Sequence, residues 1–510
     1  MVAPLVYLAL AAVPFIASCM KNEEEGETPT PVGPVTNPEG DTPEASLDTG
    51  VDSGGTTPTG DAYVDAAIPS NVGTFDIEGS VFSSLWVNNE GEEQFYYVHK
   101  VGGTTVDDPT TPEPDPVTVP QEFYLGQCST LPISPDQQTA ICDDLGYALP
   151  FSDQIAVSSH VKNYEIDGEG VIVVPYNSVG QDMIEVASTD AITLQDSADH
   201  QGVFVYATDG TLYANHNLAS MTTDSGWKLS GAEDSAYISG QNELAVSFSQ
   251  FASGAKAGDE NVITNQYNMA YPPGAIAYLN IENPLDQNPN VRVVELTDGV
   301  DYFYNPTAMH LKDGRLEVVA NLGTGDGVPV KLSIDPRQND LSLSGALTIV
   351  TEGIPVGGAY NATATESGDF LLTGATGFGE ENTGSLTRIA SDASVIPYND
   401  LPNDFTFVAG AEGFHDVEGQ EALGNYGVVV SGQYEYVPGE ASDASLWWYY
   451  NGNWTDLAFE DATGAQGFAL PPVVMEASAY GKQGSLILAP VSGIRTETSP
   501  VTRVNVFATN

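Results

Sequence analysis

The chain has 510 residues, 70 Asp and Glu against 14 Lys and Arg, and a formal net charge of −56. A surface this negative repels phosphate backbones and lacks a polybasic face for anionic lipid, which argues against nucleic-acid binding and electrostatic membrane docking. Apolar residues are 41% of the chain, enough for a real core, so wholesale disorder is excluded and the length predicts several average domains or one large repetitive one.

Residues 2–18 read VAPLVYLALAAVPFIAS, an apolar run broken by Pro4 and Pro14. It is short beside the roughly 20 residues of a membrane span and suits the apolar region of a signal peptide. No Lys or Arg precedes it, a departure from the signal-peptide pattern that leaves a true start further upstream open. The run closes as Ile16-Ala17-Ser18-Cys19. This resembles the bacterial lipobox, in which an aliphatic and two small residues precede the Cys that becomes the lipid-bearing N-terminus. The resemblance implies a signal peptide over 1–18, lipidation of Cys19 and membrane attachment through that lipid. An ordinary cleaved signal, or an anchor with an incidental Cys, is the plainer alternative. Asp, associated with inner-membrane retention, is absent after Cys19, and Lys21 with Glu23-Glu24-Glu25 resembles the surface-export signals of some Bacteroidetes-type lipoproteins. Both features imply an outer-membrane or cell-surface location.

Residues 19–60 are rich in Glu, Thr, Pro and Gly and contain no aromatic side chain, so they read as a disordered acidic tether. Residues 61–120 carry the first strands and a Pro-rich stretch, Gly102 to Pro120, that is either a linker or a long loop. The acidity is not confined to the tether: residues 21–60 have a net charge of −8 and residues 61–510 one of −48. A solvated extracellular surface in a salty medium explains this; the sharper alternative is that some carboxylates hold Ca²⁺. Of three cysteines, Cys19 is reserved for lipid. Cys128 and Cys142 then form one disulfide in an oxidising compartment or remain as two buried thiols.

From residue 121 onward, short apolar runs alternate with Gly, Asp, Asn and Ser turns, the pattern of strands and hairpins. A strand–turn–strand unit recurs around Asp167-Gly168, Gln241-Asn242, Asp313-Gly314, Gly368-Asp369, Gly424-Asn425 and Gln483-Gly484. In the C-terminal half its period is 54–58 residues, measured from Leu316 to Phe370 to Val428 to Leu486. Four-stranded propeller blades repeat every 40–50 residues or so, longer with decorated loops, which predicts about seven blades over 121–510. The pattern resembles the YVTN-type or quinoprotein-like β-propellers. Tandem β-sandwich domains are the alternative fold, because strand content alone does not separate the two.

No GxSxG elbow, P-loop, GxGxxG fingerprint or HExxH motif is present, which removes the commonest hydrolase, nucleotide and metalloprotease chemistries. The six histidines are His99, His160, His200, His216, His310 and His415. His310 falls on the first strand of its unit, the position that lines a propeller channel, so His310 with Asp313 is the candidate metal pair. Isolated, hydrogen-bonded histidines are the more ordinary expectation. Asp167, Asp209, Asp313 and Asp369 lie in or beside turns, where Asp is favoured for backbone reasons. The segment Thr222 to Trp227 partly resembles the Asp-box of sialidase propellers but lacks its spacer before the Trp, and reads as a turn. The aromatic concentration Trp447-Trp448-Tyr449-Tyr450 with Trp454 surrounds an Asn451-Gly452 hairpin turn. Alternation puts Trp447 and Tyr449 on one face and Trp448 and Tyr450 on the other. These rings are candidate ligand contacts if exposed, and inter-blade packing if not. The function expected is a tethered extracellular binding module that meets a ligand or an outer-membrane protein. A secreted propeller hydrolase or lyase using acidic residues, with or without Ca²⁺, and a structural envelope component are the alternatives.

Overall fold

Turns built on Asp-Gly fold as tight hairpins because both central residues tolerate a left-handed backbone. Asp167 and Gly168 have φ of 55° and 79°, and Asp313 and Gly314 have φ of 51° and 75°. Each pair joins two antiparallel strands, and repetition of such hairpins builds a ring of small sheets. The structure, a computed structural model, describes residues 68–509 with breaks, the longest being 180–200, 250–272 and 414–426. The signal peptide, Cys19, the 19–60 tether, His200 and His415 lie outside the described residues.

The chain is all-β, with no α-helix among the described residues, and forms a seven-bladed propeller. After β1 (Ser70–Glu78), blade 1 comprises β2 (Ser80–Asn89), β3 (Glu92–Val101), β6 (Glu122–Thr130) and β7 (Ile141–Asp144), with a small ribbon, β4 (Thr105–Asp107) and β5 (Pro116–Thr118), inserted. In blade 2, β8 (Gln154–Val157) and β9 (Lys162–Ile166) both pair with β10 (Glu169–Val179), followed by β11 (Gln201–Ala207) and β12 (Leu212–Asn217). Blade 3 is β13 (Ala232–Ile238), β14 (Glu243–Phe248), β15 (Ala275–Asn280) and β16 (Asn290–Glu295). Blade 4 is β17 (Phe303–Lys312), β18 (Arg315–Leu322), β19 (Pro329–Ile334) and β20 (Leu347–Thr351). Blade 5 is β21 (Asn361–Ala364), β22 (Phe370–Ala375), β23 (Gly384–Ile389) and β24 (Val395–Pro397). Blade 6 is β25 (Phe405–Gly413), β26 (Val428–Tyr434), β27 (Ser442–Tyr450) and β28 (Asn453–Asp456).

Blade 7 is completed from both ends of the sequence. Its strands β29 (Gln466–Ala469), β30 (Val473–Glu476), β31 (Ser485–Arg495) and β32 (Pro500–Ala508) take β1 as their outer neighbour, in register from Ser70↔Ala508 to Glu78↔Val501. The closure continues into blade 1. Thr502 Oγ1 accepts from Val81 N at 2.9 Å, and Tyr480 of blade 7 accepts from Phe95 N and donates to the Cys128 carbonyl. The propeller therefore begins at β1 and not at residue 121. The stretch between β3 and β6 leads out of and back into one blade, since those two strands pair from Phe95↔Cys128 to Val101↔Glu122.

Each blade buries both faces, which accounts for the near-continuous apolar strands. Core clusters lie between neighbouring blades around the ring: Tyr96 with Ile172, Val173 with Leu244, Ile276 with Leu332, Val319 with Phe370, Leu371 with Val430, Val429 with Ile487, and Leu488 with Phe95. A fully buried aliphatic or aromatic side chain stabilises by about 1.5–3 kcal/mol, so these seams hold the ring together. Two packed sheets would bury one face of each sheet only, and the tandem-sandwich alternative does not describe this chain.

Candidate functional site

Seven strands converge on the axis, and their side chains decide what the channel contains. A cavity of about 440 Å³ lies there, walled by β2, β9, β13, β17, β21 and the segment entering β30. This lies in the range of roughly 300–1,000 Å³ typical of small-molecule sites. Two side chains of blade 2 cross the channel. His160 Nε2 donates to the Ala362 carbonyl of blade 5 at 2.7 Å. Lys162 Nζ donates to Asp234 Oδ2 at 2.8 Å and the Ser235 carbonyl at 3.1 Å on blade 3, and to the Met309 carbonyl at 2.8 Å on blade 4.

Asp234 is buried inside β13, with its side chain 1% exposed. Its carboxylate also accepts from Ser235 N and from Met309 N, both at 2.6 Å. A buried charge needs such compensation. The adjacent Glu233 has no cation against it among the described residues; burial pushes its carboxyl up to about 8, opposed by a hydrogen bond from Ser249 and helped by the Asp234 carboxylate.

His310, on β17, borders the cavity, and its imidazole makes no hydrogen bond among the described residues. Burial lowers its pKa first; Lys162, Lys312 and Lys331 lower it further against the opposing Glu317 carboxylate, so the imidazole is neutral. Asn361 Nδ2 donates to the Ala409 carbonyl at 3.0 Å, and the buried Asn361 Oδ1 and His160 Nδ1 have no partner among the described residues. Trp86, Tyr164 and Tyr237 add aromatic surface. No Asp or Glu stands among the described residues of the wall.

The residues singled out in the sequence take varied places. Asp313 caps the exposed β17–β18 hairpin and does not line the cavity that His310 borders. Among the described residues, no group of three or more His, Cys, Asp or Glu is placed to hold a metal ion. Trp447, Tyr449 and Trp454 pack in the seam between blades 5 and 6, and Trp448 and Tyr450 in that between blades 6 and 7. Trp448 and Tyr450 stack at 5.3 Å and Tyr449 contacts Trp454 at 4.8 Å, but none of the five reaches the cavity. Cys128 and Cys142 face each other across β6 and β7 and are joined by a disulfide.

Among the remaining histidines, His99 bonds the Glu78 carbonyl and Asp144, and His216 is buried in β12 with neither ring nitrogen partnered among the described residues. Asp369 pairs with Arg388 inside blade 5, and Asp209 accepts from Thr211 N. The Thr222–Trp227 segment is a tight turn, with Trp227 N donating to Thr223 Oγ1. Sequence reasoning missed Lys162, Asp234, Asn361 and Trp86. The signal for the first two was present: a charge inside the strand AEDSAYI, and one of only 14 cations at the start of another strand.

No family model and no curated protein sequence matches the chain. Among solved structures it is similar to a protein of unknown function from Dyadobacter fermentans, at 9% identity and a TM-score of 0.38 over 87% of this chain and 99% of that one. It is also similar to a puromycin-hydrolyzing peptidase of Mycobacterium tuberculosis, at 10% identity and a TM-score of 0.36, covering 81% of this chain and about half (51%) of the peptidase. A GH43 β-xylosidase/α-arabinofuranosidase from a compost metagenome matches at 12% identity and a TM-score of 0.33, over 64% of this chain and 98% of the enzyme. At these identities and scores the likenesses say nothing of activity.

Proposed function

We propose that the chain is a bacterial lipoprotein of the outer membrane or cell surface, anchored through Cys19, with a YVTN-type or quinoprotein-like propeller. In this reading the propeller is an extracellular binding module, and the channel cavity is its ligand site. One observation supports the site above all. In a chain with 70 carboxylates, the described wall of the cavity contains none, and instead collects imidazole, amide, hydroxyl and aromatic groups. A hydrolase or lyase working by acidic residues needs carboxylates facing its substrate, usually a pair of them. A convergent polar wall with aromatic surface is what a binding pocket needs.

Thermal melts of the full-length protein against small molecules grouped by class test the site. A ligand present at about 100 times its Kd stabilises the folded state by about 2.7 kcal/mol. One class is expected to raise the Tm of the native protein but not of Thr363→Trp, which fills the cavity. Turnover of the bound compound, or no class with this behaviour, would reject the reading. The anchor is tested separately: Cys19→Ser is expected to move the protein from the membrane fraction to the supernatant.

A further inference from the structure

We infer that the cavity takes a neutral ligand rich in hydroxyls, a saccharide, with an apolar face laid on Trp86 and its hydroxyls on His310, Ser84 and Thr363. This rests on the cavity being a ligand site and adds the chemistry of the ligand.

The argument is one of donors and acceptors. An ammonium has three N–H donors, and Lys162 directs all three at protein acceptors: Asp234, the Ser235 carbonyl and the Met309 carbonyl. Lys162, the one Lys or Arg among the described residues of the wall, therefore has no donor left for an anionic ligand, and its charge is already balanced by Asp234. A carboxylate or phosphate entering the cavity would be desolvated without a charged donor, and it would first cross the field of a chain with a net charge of −56. A cationic ligand fares no better, because no Asp or Glu is present among the described lining residues to meet it.

The groups left for a ligand match hydroxyls instead. His160 and Asn361 are held by their own bonds to the Ala362 and Ala409 carbonyls, and their remaining polar atoms, Nδ1 and Oδ1, are shielded from the cavity. His310 as a neutral ring contributes one donor and one acceptor, and the half-buried Ser84 and Thr363 hydroxyls, unbonded among the described residues, can do either. A ligand hydroxyl both donates and accepts, which suits such a mixed set; a purely anionic or purely cationic ligand satisfies only half of it. Trp86 supplies the flat apolar surface that the carbon face of a sugar ring covers.

The test is a glycan array carrying neutral, uronate, sulfated and amino oligosaccharides, probed with full-length protein and followed by titration of the best glycan. Binding is expected on neutral glycans, weakened about tenfold in Thr363→Val, which keeps the shape and removes the hydroxyl, and more in Trp86→Ala. Melting curves of both variants check folding, and Thr363→Val carries the test if Trp86→Ala does not fold. Binding confined to charged glycans overturns the inference, as does an array with no neutral hit. In that event the small-molecule melts separate the two ideas: a non-saccharide class blocked by Thr363→Trp leaves the cavity a ligand site, and no class at all removes both.

Discussion

Lys162 Nζ lies 2.8 Å from Asp234 Oδ2 and 2.8 Å from the Met309 carbonyl, so one ammonium on blade 2 ties blades 3 and 4 to it at the channel wall. Asp234 reinforces the tie by accepting from Met309 N on blade 4. Removing the lysine leaves a buried carboxylate without its counter-charge. Lys162→Met is expected to cost about 3–5 kcal/mol, and adding Asp234→Asn to recover a large part of it. Urea midpoints of the single and double variants check this. A loss below about 1 kcal/mol in Lys162→Met would be that of a surface pair and would refute the clamp.

His216 is 4% exposed, and burial lowers its pKa to about 4 against the opposing pull of Asp286. The unfolded chain then binds a proton that the folded one refuses between about pH 6.5 and pH 4, so stability falls as pH drops through that window. The loss is on the order of 2–3 kcal/mol. On going from pH 7 to pH 5 the melting temperature of the native protein is expected to fall relative to that of His216→Leu, whose other titrating groups are the same. Equal pH dependence in both would sink this account.

Glu233 has the opposite sign. Its carboxyl stays protonated in the fold up to about pH 8 and ionises near 4.5 in the unfolded chain. Stability from this group is full below pH 4.5 and is lost as pH rises towards 8. Glu233→Gln, which holds the neutral form permanently, should therefore raise the Tm at pH 8 and leave it nearly unchanged at pH 4.5. An unchanged Tm at pH 8 would show that Glu233 is ionised in the fold.

Closure by β1 is testable by truncation. Phe75 and Ile77 are buried between blades 7 and 1, and Asp76 holds Arg503 through bonds of 2.7 and 3.0 Å. Deleting residues 1–69 should leave the melt of the body intact. Deleting 1–78 removes β1, bares the edge of β32 and should give aggregation or a much lower Tm. Similar melts for the two truncations would mean that the ring does not depend on this strand.

The carboxylates of several turns are engaged by their own backbones: Asp209 accepts from Thr211 N, Asp298 from Val300 N, Asp340 from Ser342 N and Asp392 from Ser394 N. With a net charge of −56, stability should rise with salt as self-repulsion is screened. Equal ionic strengths of NaCl and CaCl₂ are expected to raise the Tm equally. A rise specific to Ca²⁺ and reversed by EDTA would show a cation site.

Much of the ring was legible in the residues. Leu316, Phe370 and Val428, which mark the repeat, stand at the start of the second strand of a blade, in β18, β22 and β26, and Leu486 stands at the start of β31, the strand that pairs with both β29 and β30. The side-chain period of two likewise divided the aromatic run correctly between two faces. The place of that run was not legible, because alternation tells which rings share a face and not whether a neighbouring blade covers it. Asp313 is a further case. Its position before Gly314 serves the backbone of a hairpin, and the metal pairing with His310 needed a convergence that no local spacing enforces.

By itself the sequence determined the strands, the hairpins, the repeat and the acidity, because each follows from turn chemistry and side-chain alternation within about ten residues. Tertiary structure alone decided the closing strand and the chemistry of the channel. Asp76 meets Arg503 across 427 residues, and Lys162 meets Asp234 across 72 and Met309 across 147. Which distant groups meet depends on how many blades close the ring and at what register. A wall whose described residues include no carboxylate, in a chain of 70, appears only once those blades have been brought around one axis.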